Sequence, residues 1–381
     1  MDFTLSKKQR DLVEEAREFA SREFGQRALE FDRSETFDLG IWRAAAERGF
    51  VGLHIPVRYG GSGLGLLERC LVMEEFWSED PGIASAVLST TFGSDMFTMF
   101  GTEEQNSIFL RPVAEGNAIL AMAITEPNAG SDVSGVQTRA EQSGDEYVIS
   151  GSKVFITNGS VADFVLVLCL TDPEHAKKHM RFSCIVVEKH RKGFQANKLY
   201  GKLGIRASDT AELFFSDVRV PKTNLVGEQG GAFRQLMKVS DRARIGVAAQ
   251  GVGIARAALE ESIRHSRKRF QFGSPLALLQ ATQFKIAEMA TRVKCARNLY
   301  YEAAWKADKG IADSKLAAMA KWYAGEVAVF CANEALEMHG GYGCLDEHKV
   351  QRLYRDAKII DIYEGTKEIE KLIIARNLLS S

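Results

Sequence analysis

The spacing of apolar residues changes character twice along the chain. Residues 1–118 read as helical. Leu12 and Phe19 mark the inward stripe of a helix over 9–23, which Thr4 or Ser6 can cap. Trp42 and Ala46 stand at i,i+4 within a second helix over 39–48. A third runs over 66–77, after the Tyr59-Gly60-Gly61-Ser62-Gly63 turn. The period then shortens. Residues 119–125, 147–149, 153–157, 164–169, 183–187 and 211–218 are short apolar runs, rich in β-branched and aromatic residues. No helical stretch separates them, which excludes a doubly wound parallel sheet. Beyond residue 228 the helical step returns in Val252, Ala255, Leu259 and Ile263. It recurs in Ile286, Met289, Val293, Ala296 and Tyr300, and again in Leu316, Met319, Tyr323, Val327 and Phe330. Each set lies on one helix face, and such helices packed antiparallel make a four-helix bundle. The expected fold is α+β and mostly α. It has an N-terminal helical domain (1–118), a middle β domain (119–228) and a C-terminal helical bundle (229–381).

Composition narrows this picture. A chain of 381 residues is long for one core, so two or three domains are expected. Only 7 prolines occur and none follows Pro275, which leaves the last part of the chain free to form long helices. Lys plus Arg (49) nearly balances Asp plus Glu (50), for a formal charge of −1. The chain therefore lacks the field by which a nucleic-acid binder attracts phosphate. Apolar residues at 45% and charged residues at 26% describe a globular protein. No apolar run of about 18 residues is present to span a membrane. The opening Met1-Asp2-Phe3-Thr4-Leu5-Ser6-Lys7-Lys8 has neither signal nor transit character, so a cytoplasmic location is expected. The 6 cysteines have no metal-ligand rhythm and read as reduced thiols. His175 and His179, at i,i+4 in a Lys-rich stretch, read as a solvated loop, and no metal is expected.

Three constellations can carry chemistry. The first, Thr125-Glu126-Pro127-Asn128-Ala129-Gly130-Ser131-Asp132, offers backbone N–H groups and hydroxyls to a carbonyl or phosphate oxygen; it is equally a plain turn. The second is the basic cluster Arg264, Arg267, Lys268 and Arg269, which reads as a site for an anionic partner or as a charged helix end. The His339-Gly340-Gly341-Tyr342-Gly343 turn is separately open between close backbone approach to a ligand and a simple helix break. The third is Asp361-Ile362-Tyr363-Glu364-Gly365-Thr366. Thr366 can cap a following helix, which leaves Glu364 at the turn as either a general base or a surface carboxylate. Neither GxGxxG nor GxxxxGK[ST] occurs, so nicotinamide and P-loop chemistry have no support.

Taken together and in this order, these motifs resemble the acyl-CoA dehydrogenase family. The resemblance also rests on Phe155-Ile156-Thr157-Asn158-Gly159, Arg269-Phe270-Gln271-Phe272-Gly273 and Arg355-Asp356-Ala357, and it covers essentially the whole chain. It implies a helical domain, a β-barrel-like middle domain and a four-helix bundle, assembled as a homotetramer. It implies noncovalent FAD, an acyl-CoA substrate and an electron-transferring flavoprotein as acceptor. By position, Met122, Ile124, Thr125, Phe155 and Thr157 would contact the flavin. Arg269 and Gln280 would reach a neighbouring subunit's FAD, with Glu337, Gly340, Gly341, Thr366 and Glu368 as further cofactor contacts. Ser131, Asp241, Arg244 and Gly365 would meet the acyl-CoA.

The implied reaction removes the α-proton to Glu364 while the β-hydride passes to flavin N5. The α-C–H is weakly acidic, so the enolate needs hydrogen bonds, here from FAD and the Glu364 N–H. Two departures stand out. Phe155 replaces a Trp that many members carry. Asp95, in a stretch that lines the family's acyl pocket, is either hydrogen-bonded or a second base for an unusual acyl group. The alternatives are a cyclohexane-type acyl-CoA substrate, an enoyl-CoA reductase or oxidase on the same fold, or a non-catalytic binding protein. Glu364 and the intact Thr125–Asp132 turn speak against the last.

Overall fold

The computed structural model describes residues 4–380. Ser6 caps α1 (Lys7–Glu23) through a capping box: its Oγ accepts from Gln9 N at 3.2 Å, and Gln9 Oε1 accepts from Ser6 N at 2.9 Å. Helices α2 (Ala28–Ser34), α3 (Leu39–Glu47), α4 (Leu66–Glu79), α5 (Pro81–Leu88), α6 (Ser94–Phe100), α7 (Glu103–Gln105) and α8 (Arg111–Ala114) follow. A Phe19–Phe24–Phe50–Phe76 cluster, with ring centroids 5.1–6.0 Å apart, packs the first of them against α4.

The middle strands are β1 (Leu120–Ala123), β2 (Arg139–Ser143), β3 (Glu146–Thr157), β4 (Phe164–Leu170), β5 (Phe182–Glu188), β6 (Phe194–Lys198), β7 (Thr210–Pro221) and β8 (Leu225–Val226). They run β6-β7-β3-β2-β4-β5-β8, with β1 added parallel to β4. The segments expected as separate strands at 147–149 and 153–157 are one strand, β3. Its register against β7 slips between Ile149 and Gly151 and between Lys153 and Ile156. Gly151, at φ +149°, lets the strand continue through the first slip. Strands β2 and β6 escaped the sequence pattern because polar residues outnumber apolar ones in each, with one fully buried position in β2 and none in β6.

The last part holds α9 (Ala232–Lys268), a β9–β10 hairpin (Phe270–Gln271 and Ser274–Pro275), α10 (Gln280–Asp308), α11 (Ser314–His339), α12 (Lys349–Ala357) and α13 (Lys367–Leu379). Small residues set its geometry. A Cβ on Gly251 of α9 would stand 2.9 Å from the Ala324 carbonyl of α11, and one on Gly253 would stand 2.7 Å from the Glu74 carbonyl of α4. Accordingly, the most buried line of α11 is Ala317, Lys321, Ala324, Ala328 and Cys331. The expected stripe lies beside it, with Met319, Tyr323 and Phe330 only half-buried. One apolar core runs from Phe19 and Trp77 through Ile149 and Val165 to Val252 and Ala328. α12 joins all three parts: Arg355 pairs with Asp32 at 2.5 Å, Arg352 with Asp80 at 3.5 Å, and Asp356 Oδ1 accepts from Ile205 N at 2.6 Å. Among the described residues no helix is long and apolar enough to cross a membrane, and no group of side chains could hold a metal ion.

Candidate functional site

The third constellation closes on a turn between α12 and α13. Thr366 caps α13 by accepting from Ile369 N at 3.4 Å. Before it, Glu364 at φ +54° and Gly365 at φ +105° both take left-handed backbone, a conformation that a non-glycine residue adopts only when its surroundings hold it. Those surroundings are explicit. The Tyr363 hydroxyl donates to Gln250 of α9, and the buried Lys321 of α11 donates to the Gly365 carbonyl. A Cβ on Gly365 would lie 2.1 Å from Glu370 Oε1. Arg244 donates to Glu370 Oε1 at 3.0 Å and to Asp241 Oδ1 at 2.9 Å, and Ser314 donates to the other oxygen of Asp241. Burial raises the pKa of the half-buried Glu364, while the Arg244 and Lys321 charges pull it back. A carboxylate so placed takes up a proton more readily than an exposed one.

The second constellation borders an open cavity of about 450 Å³. Arg269, Gln271, Glu337, Gly340, Gly341 and Tyr342 are among the residues that line it. The Arg269 guanidinium lies 5.8 Å from the Tyr342 ring centroid. Nothing within 4 Å would meet a Cβ on Gly340 or Gly341, so bare backbone faces open space there. Next to it the β9–β10 hairpin projects Phe272, which is 93% exposed. Gln280 begins α10 on the exposed side, and Glu337 is drawn to Lys285 at 2.9 Å.

The first constellation joins β1 to β3. Lys153 donates to the Ile124 carbonyl and to Glu126, each at 2.9 Å, and Val154 N donates to the Thr125 carbonyl at 2.9 Å. Met122 is buried on β1, and Ile124, Thr125 and Thr157 are half-buried. Phe155, at φ +60°, is 69% exposed. Ser131 and Glu368 are exposed, on the turn after β1 and in the first turn of α13 respectively.

Asp95 is corrected. It is buried and clamped by Arg69 at 3.1 Å and Arg242 at 2.9 Å, with His54 bonded to the adjacent Ser94 at 2.7 Å. Burial opposes its charge, but His54, Arg69 and Arg242 outweigh burial and hold the pKa at about 2. So low a pKa makes this ionised carboxylate a weak base, which weighs against the second-base reading. Sequence reasoning missed Lys321 and Glu370. Lys321 was visible as a charge on the otherwise small apolar line Ala317, Ala324, Ala328 and Cys331 at steps of 4, 3, 4 and 3.

The chain matches the acyl-CoA dehydrogenase N-terminal domain over residues 6–117, the middle domain over 121–218 and the C-terminal domain over 230–379. It is similar to the acryloyl-CoA reductase (NADH) of Anaerotignum propionicum, with 42% identity over 100% of this chain and 96% of that protein. Butyryl-CoA dehydrogenase from Megasphaera elsdenii superposes with a TM-score of 0.96, at 39% identity over 100% of both chains. A solved chain from the work on the electron transferring flavoprotein of Acidaminococcus fermentans gives a TM-score of 0.97, at 40% identity over 100% of both chains. Fold and site together define an oxidoreductase of the helix–sheet–helix kind. The chain belongs to the acyl-CoA dehydrogenase family, whose members use FAD, act on acyl-CoA thioesters and typically form homotetramers. The residues present fit that cofactor. An exposed aromatic face at Phe155 and a cavity with a guanidinium and two bare glycines suit an isoalloxazine ring and a pyrophosphate respectively.

Proposed function

We propose that this protein carries out α,β-dehydrogenation of an acyl-CoA to the 2-enoyl-CoA with Glu364 as the base that takes the α-proton. The observation that carries the reading is Glu364 itself. It is a carboxylate in left-handed backbone, raised in pKa by burial and kept chargeable by Arg244 and Lys321. Bound FAD supplies the acceptor for the β-hydride. Met122, Ile124, Thr125, Phe155 and Thr157 would hold its ring system. Arg269, Gln280, Glu337, Gly340 and Gly341, with Thr366 and Glu368, would hold the dinucleotide, in part across subunits. Ser131, Asp241, Arg244 and Gly365 would position the thioester. The electrons would pass to an electron-transferring flavoprotein, a partner that the Acidaminococcus fermentans likeness supports. The 6 cysteines are all free, as suits a cytoplasmic enzyme.

The test is Glu364→Gln, assayed over straight, branched, cyclic and aromatic acyl-CoAs with an artificial electron acceptor. Turnover is expected to fall by about 10²–10⁴-fold on each. Normal turnover would overturn the reading. A second reading, saturation of an enoyl-CoA by the same site, is favoured by the likeness to acryloyl-CoA reductase. Turnover in both directions, measured without air with an electron-transferring flavoprotein, separates the two.

A further inference from the structure

The charges around the Glu364–Gly365 peptide come from every element packed on it: Asp241 and Arg244 from α9, Lys321 from α11, Lys358 and Asp361 from the segment before the turn, and Glu370 from α13. Most of them are already committed. Arg244 divides itself between Asp241 and Glu370, and Lys358 pairs with Asp361 at 2.8 Å. Lys321 differs. It is 1% exposed, two turns into α11, and among the described residues its ammonium hydrogen-bonds to a backbone carbonyl, that of Gly365, and to no carboxylate. A buried ammonium without a carboxylate partner is costly, and an apolar residue would fill the place among Ala317, Ala324 and Ala328 more cheaply.

We propose that Lys321 is a positioning residue for the base: it anchors the Gly365 carbonyl, so fixing the turn that carries Glu364, and supplies the counter-charge that keeps Glu364 ionised. Burial opposes the lysine's own charge and brings its pKa down to about 8, so the cation is present through neutral pH. Glu370 works against Lys321. It is wholly buried, its Oε2 has no hydrogen-bond partner among the described residues, and burial pushes its carboxyl up to about 7 against the pull of Arg244 and Lys321, so when ionised it offsets both cations.

This inference rests on Glu364 being the base, and the experiment separates the two. The FAD-loaded enzyme, Lys321→Met, Lys321→Arg, Glu370→Gln and Glu364→Gln are compared by kcat/KM against pH with one acyl-CoA and an artificial acceptor. The acid limb of that profile reports the ionisation of the base. Lys321→Met is expected to move it up by about one pH unit, about tenfold in rate on the acid side, and Lys321→Arg to hold it in place. Glu370→Gln is expected to move it down, a shift of opposite sign that loosened packing does not produce. If Glu364→Gln keeps its turnover, the base assignment fails. If Glu364→Gln is inactive and the limb stays put in Lys321→Met, this proposal alone fails. Should Lys321→Met not fold, an unmoved or raised limb in Glu370→Gln overturns it.

Discussion

Lys153 Nζ lies 2.9 Å from Glu126 Oε1, and this buried pair fastens the turn after β1 to the strand that carries Phe155 and Thr157. Glu126 is further held by Gln137 N at 2.8 Å and Thr138 N at 2.9 Å. Burial opposes its charge, but Lys153 outweighs it and keeps the carboxyl below the usual range. Removing one partner of a buried pair leaves an uncompensated charge. Lys153→Met is expected to cost about 3–5 kcal/mol of stability. Denaturant unfolding measures that cost, and flavin content after gel filtration is expected to drop with it, because the residues proposed to hold the flavin ring sit on or just after the two joined strands.

Gly365→Ala tests the turn that carries the base. The added methyl would sit 2.1 Å from Glu370 Oε1, on a backbone at φ +105° that disfavours a side chain. The turn must shift, and a displacement near 1 Å at a reacting group costs about 10² in rate. The expected result is a fall in kcat of that order with a small change in melting temperature. Unchanged kcat would show that the Glu364 turn is not held as tightly as its contacts imply.

Much of this was legible in the sequence, and what escaped has a physical cause. Helices and buried strands announce themselves by period, as in Met289, Val293, Ala296 and Tyr300 of α10, all buried. β2 and β6 did not, because a five-residue strand with at most one fully buried position and mostly polar residues carries little apolar signal. The candidate site divided in the same way. Glu364, Thr366 and Arg269 lie in compact local motifs. Lys321 and Glu370 act only through a turn that reaches across the bundle, 44 residues away for the bond from Lys321 to Gly365. Asp95 shows the converse limit. Its position left it open between a hydrogen-bonded side chain and a second base, and the partners that decide, Arg69 and Arg242, lie 26 and 147 residues away.

Asp95→Ala separates those two roles for the carboxylate. Its loss leaves Arg69 and Arg242 facing each other without their shared anion, at a cost of about 3 kcal/mol. The melting temperature is therefore expected to fall, while the shape of the pH profile of kcat/KM on a straight-chain substrate stays that of the parent. A displaced acid limb in Asp95→Ala would restore the second-base reading.

Asp356 predicts a pH dependence of stability rather than of rate. It is 2% exposed at the junction of the three parts, where burial and the neighbouring Asp80 charge push its carboxyl up to about 7, against the Ile205 N–H and Arg355. In the unfolded chain an aspartate titrates near about 3.9. Between these values the folded state holds a proton that the unfolded state has released, so this group makes stability fall as pH rises from about 4 to about 7. Asparagine keeps an oxygen to accept from Ile205 N and removes the titration. Asp356→Asn is expected to flatten that fall, so that its stability relative to the parent improves with pH across the window. Chemical denaturation at pH 5 and pH 7.5 checks this. A difference between parent and Asp356→Asn that does not change between the two pH values would place the Asp356 carboxyl back in the ordinary range and leave Arg355 and Asp32 as the charged pair that holds the junction.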